Sequence, residues 1–190
     1  MPKKSSISIT ISKQKAQTHF ESASNYFPLW SGLVDTRETS KLVSALMTQL
    51  KEKGGIAGTS EAMNDKLPED AIQRQWDYPN GWAPHQMLIW RGLKIQRFED
   101  ELEELVYRWL YMITRNAVDY NGTIPEKYDV VAATHKVFAE YGNVGTDFEY
   151  ITQEGFGWMN ASFQYGLQLL NKDLITYLNN LEKPDMIFKA

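Results

Sequence analysis

At 190 residues with a formal net charge of −4, the chain is long enough for one domain with a sizeable core and lacks the basic balance of a nucleic-acid binder. It has no cysteine, which excludes a disulfide framework, a thiolate metal site and a cysteine nucleophile. No segment approaches ~20 consecutive apolar residues, so nothing reads as a membrane span, and the opening "MPKKSSISITISKQ" has no apolar run of signal-peptide length.

Residues 1–19 are polar, with Ile7, Ile9 and Ile11 alternating, the pattern of a short strand or a loose arm. "SASNYFPLWSGL" is apolar but broken by Pro28 and Gly32. Thr36 stands where an N-cap belongs before "RETSKLVSALMTQLKEK". Leu42, Val43, Leu46 and Leu50 fall at helical spacing, and Gly54-Gly55 is the expected stop. "GGIAGTSEAMNDKLPED" reads as a loop. A second helix is expected over "HQMLIWRGL", beginning near Trp82. The strongest helical pattern is "RFEDELEELVYRWLYMITRNAVDYNG". It has a broad apolar stripe from Leu102 to Ala117, acids at its positive end and Gly122 just past its close. Residues 121–157 have little periodicity and form the kind of long loop that is usually functional or disordered. "WMNASFQYGLQLLNKDLITYLNNL" returns to helix, and residues 182–190 read as a tail. The fold class is therefore all-α, with chemistry concentrated in loops between helices.

Three loops join acids to aromatics: "QWDYPNGW", "PEKYD" and "DFEYITQEGFGW". Aromatics make up 13% of the chain. That excess fits either a large core or a carbohydrate cleft, where a ring covers a sugar's C–H face. Carboxylates flanking a sugar bond are the minimal equipment of glycoside hydrolysis. Taken singly, Glu126 reads as a solvated loop acid, and Trp82, Trp90 and Trp109 as core; Trp76 reads as either core or cleft only once the motif named below is counted. Glu154 and Asp147 read as structural or solvated groups. Asp77 could cap the following helix or touch a ligand. The acids at 99–104 read as a solvated helix face. His19, His85 and His135 have no ligand spacing, so no metal site is expected.

"QWDYPNGWAP" resembles the trehalase signature at Gln75, Trp76, Asp77, Pro79, Gly81, Trp82 and Pro84. "SASNYFPLWSGL", "PEKYDV" and "QEGFGWMNAS" resemble further segments of that family in the same order. "AEYGNVGTDF" and "WAPHQ" resemble its fungal neutral branch. The resemblance, over roughly residues 20–170, implies an inverting α,α-trehalase of glycoside hydrolase family 37, with a fold that is part of an (α/α)6 toroid, about half of its helices. It implies Glu126 as general base, with Trp76, Asp77 and Glu149 contacting or walling the sugar site. Pro125 replaces the Val of many relatives and stiffens the approach to Glu126. The family's general-acid Asp belongs to an upstream Gly-Trp-Asp-Phe-type segment that does not occur here.

The expectation is a C-terminal part of the catalytic domain over residues 20–181, inactive alone. It would be cytoplasmic, with trehalose as partner and no cofactor, calcium site, nucleic acid or membrane. A missing N-terminal half, or self-association, would cover exposed apolar surface. The alternative is a non-catalytic helical fragment that binds sugar or a protein partner.

Overall fold

The computed structural model describes residues 10–11, 16–17, 20–68, 74–122, 124–136 and 156–189. The architecture is mostly helical. A 3-10 turn, Ala23–Tyr26, leads into α1 (Phe27–Ser31), followed by α2 (Thr36–Gln49), α3 (Glu61–Asn64), α4 (Ala83–Gln96) and α5 (Glu99–Asp119). The chain closes with α6 (Gly157–Leu169), α7 (Lys172–Asn179) and α8 (Pro184–Ile187). Among the described residues, three antiparallel two-stranded ladders are set between them: β1 (Thr10–Ile11) with β2 (Ala16–Gln17), β3 (Lys51–Glu52) with β4 (Gly55–Ile56), and β5 (Asn80–Trp82) with β6 (Lys127–Asp129). Ile11 thus joins a short strand, while Ile7 and Ile9 lie outside the described residues.

α4 and α5 form the centre. Only Arg97 and Phe98 separate them, and they pack on each other and on α6. Trp90, Leu93, Leu105, Val106, Trp109 and Leu110 are fully buried. The Trp109 indole donates to Ser162 Oγ at 3.1 Å, and Ser162 Oγ donates to the Met159 carbonyl at 2.8 Å, which locks α5 to α6 inside the core. α1 lies close on α4. A Cβ on Gly92 would come within 2.7 Å of Leu29 Cβ and 2.9 Å of the Trp30 nitrogen, so the contact requires glycine there.

Several local expectations change. Asp35, not Thr36, caps α2; its carboxylate accepts from the Arg37 N–H at 3.0 Å. A carboxylate serves here because it meets both a free N–H and the positive helix end. α2 stops at Gln49, and Gly54-Gly55 belongs to the β3–β4 hairpin instead of a helix end. Residues 54–60, read as an ordinary loop, are buried throughout. The last helical stretch is two helices. Asn171 breaks it by accepting from the Asp173 and Leu174 N–H groups, both at 3.0 Å, and so starts α7.

Residues 182–188 are docked on α5. Tyr107 OH donates to the Glu182 carbonyl at 2.8 Å, and Arg108 pairs with Asp185 at 2.9 Å. Glu104, within the run of acids, is not simply solvated. It pairs with both Arg108 and Lys51 at 2.9 Å and is mostly buried.

Candidate active site

The signature segment winds through a tight turn before entering β5. The Asp77 N–H donates to the Arg74 carbonyl at 3.1 Å, and the Asn80 N–H donates to the Asp77 carbonyl at 2.9 Å. The Trp82 indole reaches back to the Gln75 carbonyl at 2.8 Å. Trp82 is itself the N-cap residue of α4, so Asp77 does not cap that helix. Asp77 is half-buried, and burial pushes its carboxyl above the usual range, with Arg74 pulling partly back.

Trp82 is buried and three groups converge on its ring. Trp76 stacks on it with centroids 3.7 Å apart and planes 15° apart, while staying 41% exposed. Trp158, from the first turn of α6, meets it edge-on at 5.9 Å and is itself stacked with Phe156. The Lys127 ammonium lies 5.3 Å from its centroid, in cation–π range. His85 lies between the Trp76 and Phe27 rings at 5.3 and 5.9 Å, and burial lowers its pKa to about 4, so it is neutral at neutral pH. The tryptophans therefore play two parts. Trp82, Trp90 and Trp109 are core as expected, whereas Trp76 and Trp158 present aromatic surface above that core.

The strand register brings the signature and the base motif together. Trp82 pairs with Lys127, Gly81 with Tyr128 and Asn80 with Asp129. Glu126 immediately precedes that ladder and is half-buried. Pro125 before it is buried. Lys127 is fully buried; burial pushes its ammonium down to about 8, while the Glu126 carboxylate beside it acts to raise it. Asp129 has a structural role, since its Oδ1 accepts from the Val131 and Ala132 N–H groups at 2.9 and 2.8 Å and closes the turn after β6.

Trp76 and Asp77 lie in the turn before β5, and Glu126 lies directly before β6, the strand that pairs with it. Glu149 lies outside the described residues, as do Asp147 and Glu154. Two residues of the site were not singled out in the sequence. Lys127 looks like a solvated lysine by type, and only its register partner Trp82 shows otherwise. Trp158 heads an apolar helix and so reads as core. Among the described residues no three His, Asp or Glu side chains gather into a metal site.

A sequence profile of the trehalase family matches residues 10–171. The chain belongs to the trehalase family. It is 45% identical over 160 residues to the cytosolic neutral trehalase of Emericella nidulans, covering 83% of this chain and 21% of that protein. It is 40% identical over 178 residues to the cytosolic neutral trehalase of Neurospora crassa, covering 93% and 24%. The solved neutral trehalase Nth1 from Saccharomyces cerevisiae superposes with a TM-score of 0.74 at 38% identity, covering 90% of this chain and 28% of that one. The trehalase-type α/α toroid expected from the motifs is therefore the fold to which these helices belong. The chain spans about a fifth to a quarter of the length of the curated relatives it matches.

Proposed function

We propose that this trehalase-family chain supplies the general-base side of a site that hydrolyses α,α-trehalose with inversion. The observation that supports the reading is the β5–β6 register, which pairs Lys127, the residue after Glu126, with Trp82, the ring on which Trp76 stacks. The exposed Trp76 ring would cover an apolar sugar face. Glu126, ionised, would take a proton from water as its oxygen attacks the anomeric carbon. A second carboxyl group, roughly 6.5–9.5 Å away in an inverting site, would protonate the departing oxygen. That acid would come from a part of the family's catalytic domain upstream of the region matched here. Asp77 and Glu149 would bind sugar hydroxyls. The names of the relatives support trehalose as substrate and the cytosol as the place of action.

On this reading the 190-residue chain alone turns over trehalose slowly or not at all, because general acid assistance is worth about 10²–10⁴-fold. The test is glucose release, with trehalose binding followed by calorimetry, for the wild-type chain and Glu126→Gln. Both are measured alone and with a polypeptide carrying the remaining trehalase catalytic region. Turnover restored with wild type and absent with Glu126→Gln, binding being retained in both, is the expected result. Comparable turnover by Glu126→Gln in the reconstituted mixture would remove Glu126 from its role. Binding with no restored turnover would instead support a sugar-binding fragment.

A further inference from the structure

Gln86 is fully buried on α4 and engages both polar backbone groups of one residue. Its Oε1 accepts from the Ile56 N–H at 3.0 Å, and its Nε2 donates to the Ile56 carbonyl at 2.7 Å. A glutamine amide has the same donor and acceptor as a peptide unit, so this side chain pairs with β4 as a neighbouring strand would. β3 occupies the other edge of β4, through the pairing of Lys51 with Ile56.

Segment 54–60, held in this way, is the surface on which the signature is laid. The Gly58 N–H donates to the Asn80 carbonyl at 2.8 Å, and the Tyr78 N–H donates to Thr59 Oγ1 at 2.8 Å. A Cβ on Gly58 would fall 2.0 Å from the Trp76 carbonyl oxygen, so the two backbones are in direct contact. The Gly54 N–H donates to the Val130 carbonyl at 2.8 Å, just beyond β6. The 54–60 segment therefore touches both halves of the candidate site: the turn that carries Trp76 and the residue just past the strand that follows Glu126.

We propose that Gln86 is a positioning residue of the candidate site, its amide acting as a one-residue strand that holds segment 54–60 in place beneath Trp76 and the β5–β6 ladder. It touches no reacting atom and works through Ile56 and Gly58. Without it, the N–H and C=O of fully buried Ile56 lose their partner, and the segment must move to find water or another one. Its consequence for sugar binding rests on the trehalose reading above; its consequence for the placement of Trp76 does not.

The test uses two variants of the full chain. Close indoles give an exciton couplet in far-ultraviolet circular dichroism, which is read separately from helix content; a Trp158→Phe background removes the edge-on Trp82–Trp158 pair, so that the couplet reports the Trp76–Trp82 stack. Gln86→Met keeps length and apolar volume but removes both hydrogen bonds. It is expected to lose the couplet, and to weaken trehalose binding by about tenfold or more, while keeping its helical signal and a cooperative melt. Gln86→Glu adds a chemical rescue. Protonated, its carboxyl can accept from the Ile56 N–H and donate to the Ile56 carbonyl; ionised, it can only accept. Its couplet is expected to be weak at about pH 8 and to recover toward about pH 4, relative to wild type at each pH. The wild-type control absorbs titration of Asp77, His85 and Glu52 nearby.

A folded Gln86→Met with the wild-type couplet overturns the proposal. If Gln86→Met does not fold, Gln86→Glu decides: a couplet that ignores pH overturns the proposal, and one restored by acid supports it. A wild-type chain with an intact couplet that neither binds trehalose nor restores turnover in the reconstituted mixture would defeat the trehalose reading and leave the positioning role standing.

Discussion

Lys127 carries an amine into a place with no exposed surface, and the cost of burying its charge appears as a pKa lowered from 10.5 to about 8. Between about pH 8 and 10.5 the unfolded chain then holds more proton than the folded one, so this group makes stability rise with pH across that window. Tyr26, Tyr107 and Tyr128 are pushed upward by burial and act oppositely above about pH 10, where the unfolded chain ionises first. The clean range is therefore about pH 8 to 10. Lys127→Met is expected to melt higher than wild type at neutral pH, by on the order of 1 kcal/mol of stability, with the advantage shrinking toward the upper end of that range. Thermal melts at a series of pH values check this. An advantage independent of pH would mean that packing, not charge, sets the difference. His85 behaves in the same sense at lower pH. Its folded pKa of about 4 lies below the ordinary 6.5, so stability falls as acid protonates the unfolded chain between those values. His85→Leu should lack that component of the acid loss.

Among the elements, the long helices were the most legible. The stripe from Leu102 to Ala117 identifies α5 because its apolar spacing follows the helical period, and Gly122 adopts φ +82 just beyond it. Segment 54–60 was not legible, since Gly54, Gly55 and Gly58 signal a turn by type. At Gly58 the physical need is different: another backbone approaches too closely for a side chain. Gly58→Ala is expected to destabilise by about 1–3 kcal/mol and to shift the Trp76 fluorescence, as overpacking against backbone cannot be relieved by a rotamer change. Unchanged emission and melting would show that the contact is easily relaxed. The break between α6 and α7 belongs to Asn171, whose side chain takes two N–H groups. Asn171→Ala should cost about 1 kcal/mol in a denaturant melt.

Across the whole molecule, distant parts of the chain are tied through α5. Glu104 joins Lys51 from the β3–β4 hairpin to Arg108, and Arg108 reaches Asp185 of α8. Glu104→Ala takes a shared partner from Lys51 and leaves buried Arg108 with Asp185 alone. It should destabilise by about 1–3 kcal/mol, more than an exposed ion pair is worth. A loss below about 1 kcal/mol would place these groups in the class of screened surface pairs.

Among the described residues, apolar surface also remains uncovered. One groove runs between Ile113, Val118, Met159 and Phe163, and a second lies between Trp30, Met87, Leu88 and Tyr165. Sedimentation at rising concentration is expected to show mass above that of a single chain, and a monomer with a sharp, reversible melt would count against that.

What the amino-acid order by itself determined was local and chemical. Helical periods declared α2, α4 and α5, and the "QWDYPNGWAP" and "PEKYD" spellings declared the family, because period and motif are properties of adjacent residues. Only the tertiary structure decided that the Glu126 motif and Trp82, far apart along the chain, meet across one strand pair, that a buried lysine lies on that tryptophan, and that a glutamine side chain serves as the neighbouring strand. Those are long-range pairings. The same residue types occur equally well in solvated loops, and only the fold buries these and brings them together.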